Sequence, residues 1–203
     1  MSIKKKIAVL VSGSGSNLQA LIDALEKKEL TDAEIAIVIA SKSDAFALKR
    51  AEVSRIKNIF LNPSDFKTSL DFDQKLIEVI KEHNADLIVL AGFLRILSTD
   101  FIKAFKNKII NIHPSLLPAF GGKGMYGKKV HEAVINSKVK ESGCTTHFVT
   151  DEVDTGQIIL QKKVPVNETD TVESLSSKIL NEEHTLLIES IKKVLFEKSC
   201  ISK

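Results

Sequence analysis

Short apolar runs alternate with longer amphipathic stretches between residues 6 and 113. Five of these runs predict β-strands: Lys6–Val11, Glu34–Ala40, Ile59–Leu61, Asp86–Ala91 and Lys108–His113. The stretches between them have helical spacing, the first at Leu18–Lys28. Because the run Leu87–Ala91 is apolar at every position, it indicates a strand covered on both faces. The pattern therefore predicts an α/β protein with a doubly wound, mostly parallel sheet, whose ligands bind beyond the carboxyl ends of the strands.

The pattern changes after residue 120. A glycine-rich stretch at 121–127 precedes a short predicted helix near Val130–Asn136. Two further runs, Thr145–Val149 and Gln157–Val164, are separated by seven residues and predict an antiparallel strand pair.

A long C-terminal helix is predicted after this strand pair. Asp170 and Glu173 have the spacing of a capping box at its start. Its apolar stripe runs through Val172, Leu175, Ile179, Leu186, Leu187, Ile191 and Val194. No linker, repeat or low-complexity segment interrupts the chain, so residues 1–203 are expected to form a single domain.

Composition is that of an ordinary globular protein: 203 residues, 43% hydrophobic and 27% charged, with a net charge of +3. The lysines are scattered, which disfavours nucleic acid as a partner, and no apolar run approaches the ~20 residues that span a bilayer. Two cysteines, Cys144 and Cys200, provide no disulfide framework. A cytoplasmic protein is therefore expected.

The first predicted strand ends in a glycine-rich loop, Ser12–Asn17, followed by a helix. Such a loop suits a phosphate, because glycines let the backbone approach a ligand and the helix start offers free N–H groups. A tight turn capped by Ser16, without a ligand, is the alternative. NAD is disfavoured, since Leu18 replaces the third glycine of a dinucleotide-binding motif and Ala40–Lys42 replaces its acidic residue.

Two polar residues lie together at the end of the fifth predicted strand. Asn111 and His113 share one face of the strand, and Pro114 ends it. An amide donor beside an imidazole is what acyl transfer needs, to stabilise an oxyanion and to move a proton. A buried histidine bonded to a backbone carbonyl is the structural alternative.

The connection Thr150–Gly156 is the most acidic short stretch of the chain. A carboxylate from it that reached His113 would raise the histidine pKa and orient its ring. The alternative is a solvated turn, and the pattern does not choose between Asp151 and Asp154.

Glu183, on the inward stripe of the last helix, lies either at the edge of that stripe or in a polar pocket. No His or Cys spacing indicates a metal site.

Four segments resemble the folate-dependent formyltransferases and occur in the same order: Ser12–Gln19, Ala91–Leu97, Asn111–Pro118 and Asp154–Leu160. The Asn-x-His-Pro-Ser block indicates the wider family. The Gly-Ser-Asn loop narrows the resemblance to the phosphoribosylglycinamide formyltransferases.

The resemblance implies a Rossmann-like core, the co-substrate 10-formyltetrahydrofolate, direct formyl transfer to glycinamide ribonucleotide in de novo purine biosynthesis, and no metal. The catalytic residues that it implies are Asn111, His113 and Asp154. The residues implied for glycinamide ribonucleotide are Gly15, Ser16, Asn17 and Glu183. Those implied for the folate are Leu94, Arg95, Ile96, Leu97, Asn111, Thr150, Asp151, Glu152, Val153 and Asp154.

Two positions depart from the family pattern: Ser69 stands where arginine is frequent, and Leu180 where glutamine is frequent. Alternatives are a formyltetrahydrofolate hydrolase, which carries a further domain ahead of the core, and methionyl-tRNA formyltransferase, which carries one after it. A third is a non-catalytic phosphosugar-binding module. The expected partners are small molecules, without nucleic acid or membrane, and the expected state is a monomer or homodimer.

Overall fold

The computed structural model describes residues 3–197. Within this range the strands are β1 Lys5–Val11, β2 Ala33–Ala40, β3 Asn58–Phe60, β4 Leu87–Leu90, β5 Ile109–His113, β6 Glu141–Phe148 and β7 Ile158–Pro165. The helices of the same range are α1 Ser16–Glu26, α2 Phe46–Val53, α3 Ser69–Glu82, α4 Thr99–Ala104, α5 Lys128–Ser137 and α6 Val172–Phe196. A short 3-10 turn spans Pro63–Asp65. All seven predicted strands are therefore present.

The strands form one sheet in the order β3-β2-β1-β4-β5-β6-β7. β1 pairs in parallel with β2 and β4, and β2 pairs in parallel with β3. β6 and β7 are antiparallel. The predicted fold, a doubly wound and mostly parallel sheet with an antiparallel strand pair and a long C-terminal helix, is confirmed.

Burial explains why the strands of the first half were predictable. β4 is buried at all four positions, and β1 is buried from Ile7 to Val11. Such continuous apolar runs are stable only where both faces of the strand are covered. The observed ends of these strands accordingly differ from the prediction by a single residue.

The start of β6 differs more, because this strand begins at Glu141 and not at Thr145. Ser142 and Gly143 interrupt the apolar pattern, yet both pair with β7. A Cβ atom at Gly143 would overlap the Lys162 carbonyl group. The backbones therefore approach so closely here that only glycine fits.

Helix α6 also starts differently from the prediction. Its capping box is formed by Thr171 and Ser174, whereas the predicted pair was Asp170 and Glu173. The Asp170 carboxylate instead accepts a hydrogen bond from Lys178 Nζ at 2.7 Å. The fully buried members of the predicted apolar stripe are Leu175, Ile179, Leu186, Leu187 and Ile191.

The chain divides after Ile110 into two compact units, here called the first and the second unit. The single-domain expectation stays a prediction. Among the described residues no helix is long and apolar enough to cross a membrane. Nor does any group of three His, Cys, Asp or Glu side chains within 3–197 have an arrangement that could hold a metal ion. Cys144 is a buried free thiol, and Cys200 lies outside the described residues.

Candidate active site

The second unit begins with the two polar residues of β5. Asn111 is half-buried and His113 is buried, and their spacing puts both side chains on one face of the strand. His113 Nε2 donates a hydrogen bond to the Phe120 carbonyl oxygen at 2.9 Å. Because a carbonyl can only accept, the neutral ring carries its proton on Nε2 and a lone pair on Nδ1.

Asp154 reaches His113 from the connection between β6 and β7. Its Oδ2 atom lies 3.5 Å from His113 Nδ1 and accepts a hydrogen bond from the Gly122 N–H at 3.0 Å. The Asp154 side chain is 9% exposed, whereas Asp151 is an exposed residue. Asp154 is therefore the one of these two aspartates that lies beside the histidine.

The pKa of His113 shifts in the direction opposite to the prediction. Burial lowers this pKa below its ordinary value and outweighs Asp154, whose charge acts to raise it. For Asp154, burial acts to raise the pKa, but the nearby His147 and His113 rings and the hydrogen bond from the Gly122 N–H bring it below the ordinary value. At neutral pH the pair is thus a carboxylate beside a mostly neutral imidazole.

His147 of β6 is a site residue that the sequence patterns did not reveal. Its Nε2 atom lies 3.6 Å from Asp154 Oδ1 and 3.1 Å from Asn111 Nδ2. Its Nδ1 donates to the Phe148 carbonyl at 2.9 Å, so the neutral ring accepts the Asn111 N–H at Nε2. This contact orients the Asn111 amide, which carries a second N–H.

The segment after β5 is held by hydrogen bonds from β6 and β7. Thr145 Oγ1 donates to the Ser115 carbonyl at 2.6 Å and accepts from the Leu117 N–H at 3.0 Å. Gln161 Nε2 donates to the Leu117 carbonyl at 2.9 Å. These bonds fix the backbone that leads to Phe120, the hydrogen-bond partner of His113.

Glu183 of α6 is 7% exposed, so it does not lie at a solvent-facing edge of the helix stripe. Burial raises the pKa of the Cys144 thiol to about 12, and the charges of Glu183 and Glu182 add to that effect. Cys144 is therefore an unreactive thiol at neutral pH. Glu183 occupies the same interior region of the second unit.

In the first unit, α1 starts at Ser16, two residues before the predicted start at Leu18. The cap residue is Gly15, and not the Ser16 of the ligand-free alternative. Gly15 is in the left-handed conformation with φ 72°, and no side chain caps the helix. A Cβ atom at Gly15 would lie 2.6 Å from Ala47 Cβ, so α2 packs directly against this loop. The uncapped N–H groups at the start of α1 suit an anion.

The segment 92–97 of the first unit carries the predicted folate contacts. The Leu94 and Ile96 side chains are 51% and 63% exposed, whereas Leu97 is buried. The guanidinium of Arg95 lies over the Phe72 ring, 4.5 Å from its centroid. Of the three predicted apolar contacts, only Leu94 and Ile96 therefore present an exposed apolar surface. In the second unit, residues 150–153 are exposed.

The chain belongs to the formyl transferase family, whose model matches residues 5–191. It is 40% identical over 182 residues to "Phosphoribosylglycinamide formyltransferase" of Haemophilus influenzae, covering 90% of this chain and 83% of that protein. Its structure is similar to that of glycinamide ribonucleotide transformylase 1 from Symbiobacterium toebii, with a TM-score of 0.93 and 39% identity over 100% of this chain and 92% of that one. The family predicted from the motifs is confirmed.

Other relatives are much longer than this chain. The trifunctional purine biosynthetic protein adenosine-3 of Bos taurus is 44% identical over 191 residues, which are 94% of this chain but 18% of that protein. The chloroplastic phosphoribosylglycinamide formyltransferase of Vigna unguiculata is 40% identical over 195 residues, 96% of this chain and 62% of that protein. The chain thus spans about a fifth of the length of the first of these relatives and about three fifths of the length of the second.

Proposed function

We propose that the protein transfers the formyl group of 10-formyltetrahydrofolate to the amine of glycinamide ribonucleotide, as a phosphoribosylglycinamide formyltransferase of de novo purine biosynthesis. The observation that carries the proposal is the cluster of Asn111, His113, His147 and Asp154, in which both histidines are buried. Contacts of 3.1, 3.5 and 3.6 Å join these four side chains. The relatives named above for this reaction support it.

The proposed chemistry needs a neutral amine, an oxyanion donor and a proton carrier. The amine nitrogen attacks the formyl carbon, the bond from that carbon to N10 of the folate breaks, and the proton lost by the amine balances the proton gained by N10. The second N–H of Asn111 stabilises the oxyanion. His113 assists with its Nε2–H once the substrate oxygen replaces the Phe120 carbonyl, and Asp154 stabilises the protonated ring.

The substrate contacts are proposed unit by unit. In the first unit Gly15, Ser16 and Asn17 hold the phosphate of glycinamide ribonucleotide on the helix start of α1. In the second unit Glu183 binds the same substrate. The folate contacts are Leu94, Arg95, Ile96, Leu97, Asn111, Thr150, Asp151, Glu152, Val153 and Asp154. No metal takes part in this scheme.

One assay tests the proposal: release of tetrahydrofolate from 10-formyltetrahydrofolate, with and without glycinamide ribonucleotide. A formyltransferase releases tetrahydrofolate only when the amine acceptor is present, with one formylated acceptor per folate. Folate consumption without the acceptor indicates a hydrolase. Binding of the ribonucleotide without turnover indicates a non-catalytic phosphosugar-binding module.

We expect His147→Phe to lower kcat by about tenfold and to leave the KM values of both substrates within about twofold. The reason is that the Asn111 amide loses the acceptor that orients it, which removes stabilisation of the transition state rather than of the bound substrate. Steady-state kinetics measure this split. His83→Phe, directly after α3 and outside the cluster, is the matched control. An unchanged kcat for His147→Phe would exclude the orienting role.

Ser69→Arg, which restores the residue frequent in the family, is expected to improve folate affinity by several-fold at most. Ser69 is exposed at the first residue of α3, where one ion pair is worth roughly 0–1 kcal/mol and is screened by salt. Titration of tetrahydrofolate at low and high salt measures the gain. Ser69→Met is the uncharged control, and a gain of a hundredfold that persists at high salt would indicate a buried folate tail.

A cytoplasmic location and a monomeric or homodimeric state remain part of the proposal. Light scattering after size exclusion measures the mass of the particle directly.

A further inference from the structure

Ser12 links two segments of the first unit that carry different predicted contacts. It follows β1 and stands three residues before Gly15 of the phosphate loop. Its N–H donates to the Gly92 carbonyl at 3.1 Å, and its hydroxyl accepts a hydrogen bond from the Leu94 N–H at 3.0 Å. These two hydrogen bonds, one to Gly92 and one from Leu94, fix the backbone of residues 92–94 against Ser12.

A second serine completes this link. The Ser12 and Ser41 hydroxyls are 2.8 Å apart, and both residues are buried. The Ser41 N–H also donates to the Val11 carbonyl at 3.1 Å, directly before Ser12. Buried hydroxyls need such partners, and Ser41 stands where a dinucleotide-binding protein would carry its acidic residue.

Within segment 92–97, Gly92 and Leu94 gain little from side-chain packing, whereas Phe93 and Leu97 are buried. Gly92 has a φ of 74°, and a Cβ atom placed on it would meet no atom within 4 Å. The Leu94 and Ile96 side chains are more than half exposed. The hydrogen bonds to Ser12 therefore hold the backbone at Gly92 and Leu94, on either side of the buried Phe93.

We infer that Ser12 is a positioning residue that couples ribonucleotide binding at the phosphate loop to folate binding at segment 92–97. Phosphate bound at Gly15–Asn17 restricts the motion of the loop that includes Ser12. The two hydrogen bonds of Ser12 then restrict the backbone at Gly92 and Leu94. The inference rests on the proposed function, which supplies both ligands. Because coupling between two binding sites is reciprocal, the folate must tighten ribonucleotide binding by the same factor.

Calorimetry tests the coupling with tetrahydrofolate as the probe. Its Kd is measured with and without saturating glycinamide ribonucleotide, and the ratio of the two values is the coupling factor. In Ser12→Ala we expect this factor to fall by about tenfold towards one, the scale of one lost buried hydrogen bond. The Kd of glycinamide ribonucleotide alone should change by less than about threefold.

Ser190→Ala is the matched control, because Ser190 is a fully buried serine of the second unit whose hydroxyl pairs with Thr146 Oγ1. It should lower the melting temperature without changing the coupling factor. If Ser12→Ala does not fold, Ser12→Cys decides in its place, since a thiol of similar size accepts hydrogen bonds only weakly.

Two results overturn the inference: an unchanged coupling factor in a folded Ser12 variant, or a factor near one in the wild-type protein. Neither result affects the proposed function, which the transfer assay decides separately. Conversely, a wild-type protein that binds both ligands with coupling but transfers no formyl group would overturn the proposed function and leave the link at Ser12 intact.

Discussion

His113→Ala and Asp154→Asn are each expected to lower kcat by at least about a hundredfold, while substrate affinities change much less. A hundredfold loss equals about 2.7 kcal/mol of transition-state stabilisation, the scale of one acid–base or oxyanion group. The two side chains are almost inaccessible to solvent, and His113 Nδ1 lies 3.5 Å from Asp154 Oδ2. A water molecule could therefore not easily take over the role of either group. Turnover with saturating concentrations of both substrates measures the loss.

Asp151→Asn provides the matched control, because Asp151 lies three residues earlier in the same connection and is exposed. Because Asp151 is proposed only as a folate contact, its replacement should change the KM for the folate and leave kcat at saturation within about twofold. A crippled Asp151→Asn together with a mild Asp154→Asn would contradict the assignment of the carboxylate.

The pH dependence of Asp154→Asn distinguishes electrostatic support from a merely structural contact. The charge of Asp154 acts to raise the pKa of His113 against the effect of burial, so removing it should lower that pKa further. Titration of the His113 ring by NMR should show a midpoint at lower pH in the variant than in the wild type. An unchanged midpoint would mean that Asp154 only fills space beside the ring.

The same shifts predict how acid affects the fold. The pKa of His113 is lowered in the folded state, so the unfolded chain binds this proton more readily and stability falls as the pH drops below the unfolded value of about 6.5. Asp154 also has a lowered pKa, and its contribution is lost at still lower pH, as the carboxylate is protonated. Both groups therefore destabilise the protein on acidification.

The elements of the sheet were predictable because burial on both faces leaves a direct trace in the sequence, as in β1 and β4. The start of β6 was not predictable, because Gly143 is required by the close approach of β7 and reads as a break in the strand. Cap residues also depend on the backbone. The start of α1 is set by the left-handed Gly15, whereas the ligand-free alternative had Ser16 as the cap.

The site was predictable to the extent that it lies within one strand. Asn111 and His113 share a face of β5 by period two alone. The choice of Asp154 over Asp151 required the three-dimensional path of the connection, in which Asp154 adopts the left-handed conformation with φ 59°. His147 and the sign of the His113 pKa shift depend on burial and on neighbours distant in sequence, which no local pattern contains.

Gly15→Ala is expected to raise the KM for glycinamide ribonucleotide by about ten- to a hundredfold and to leave kcat at saturation nearly unchanged. A left-handed conformation costs an alanine about 1–2 kcal/mol. The added Cβ would also lie 2.6 Å from Cβ and 2.8 Å from Cα of Ala47, so the loop or α2 must move. Losing one charge-assisted hydrogen bond to the phosphate costs about 1.5–3 kcal/mol, which gives the expected magnitude.

Gly13→Ala is the control for this prediction, because Gly13 is exposed in the same loop and a Cβ atom on it would meet nothing within 4 Å. Its KM for the ribonucleotide should stay within about threefold of the wild-type value. Calorimetry of the ribonucleotide and melting temperatures of both variants separate lost binding from lost folding. If Gly15→Ala is folded and binds the ribonucleotide with unaltered affinity, the phosphate does not bind at the start of α1.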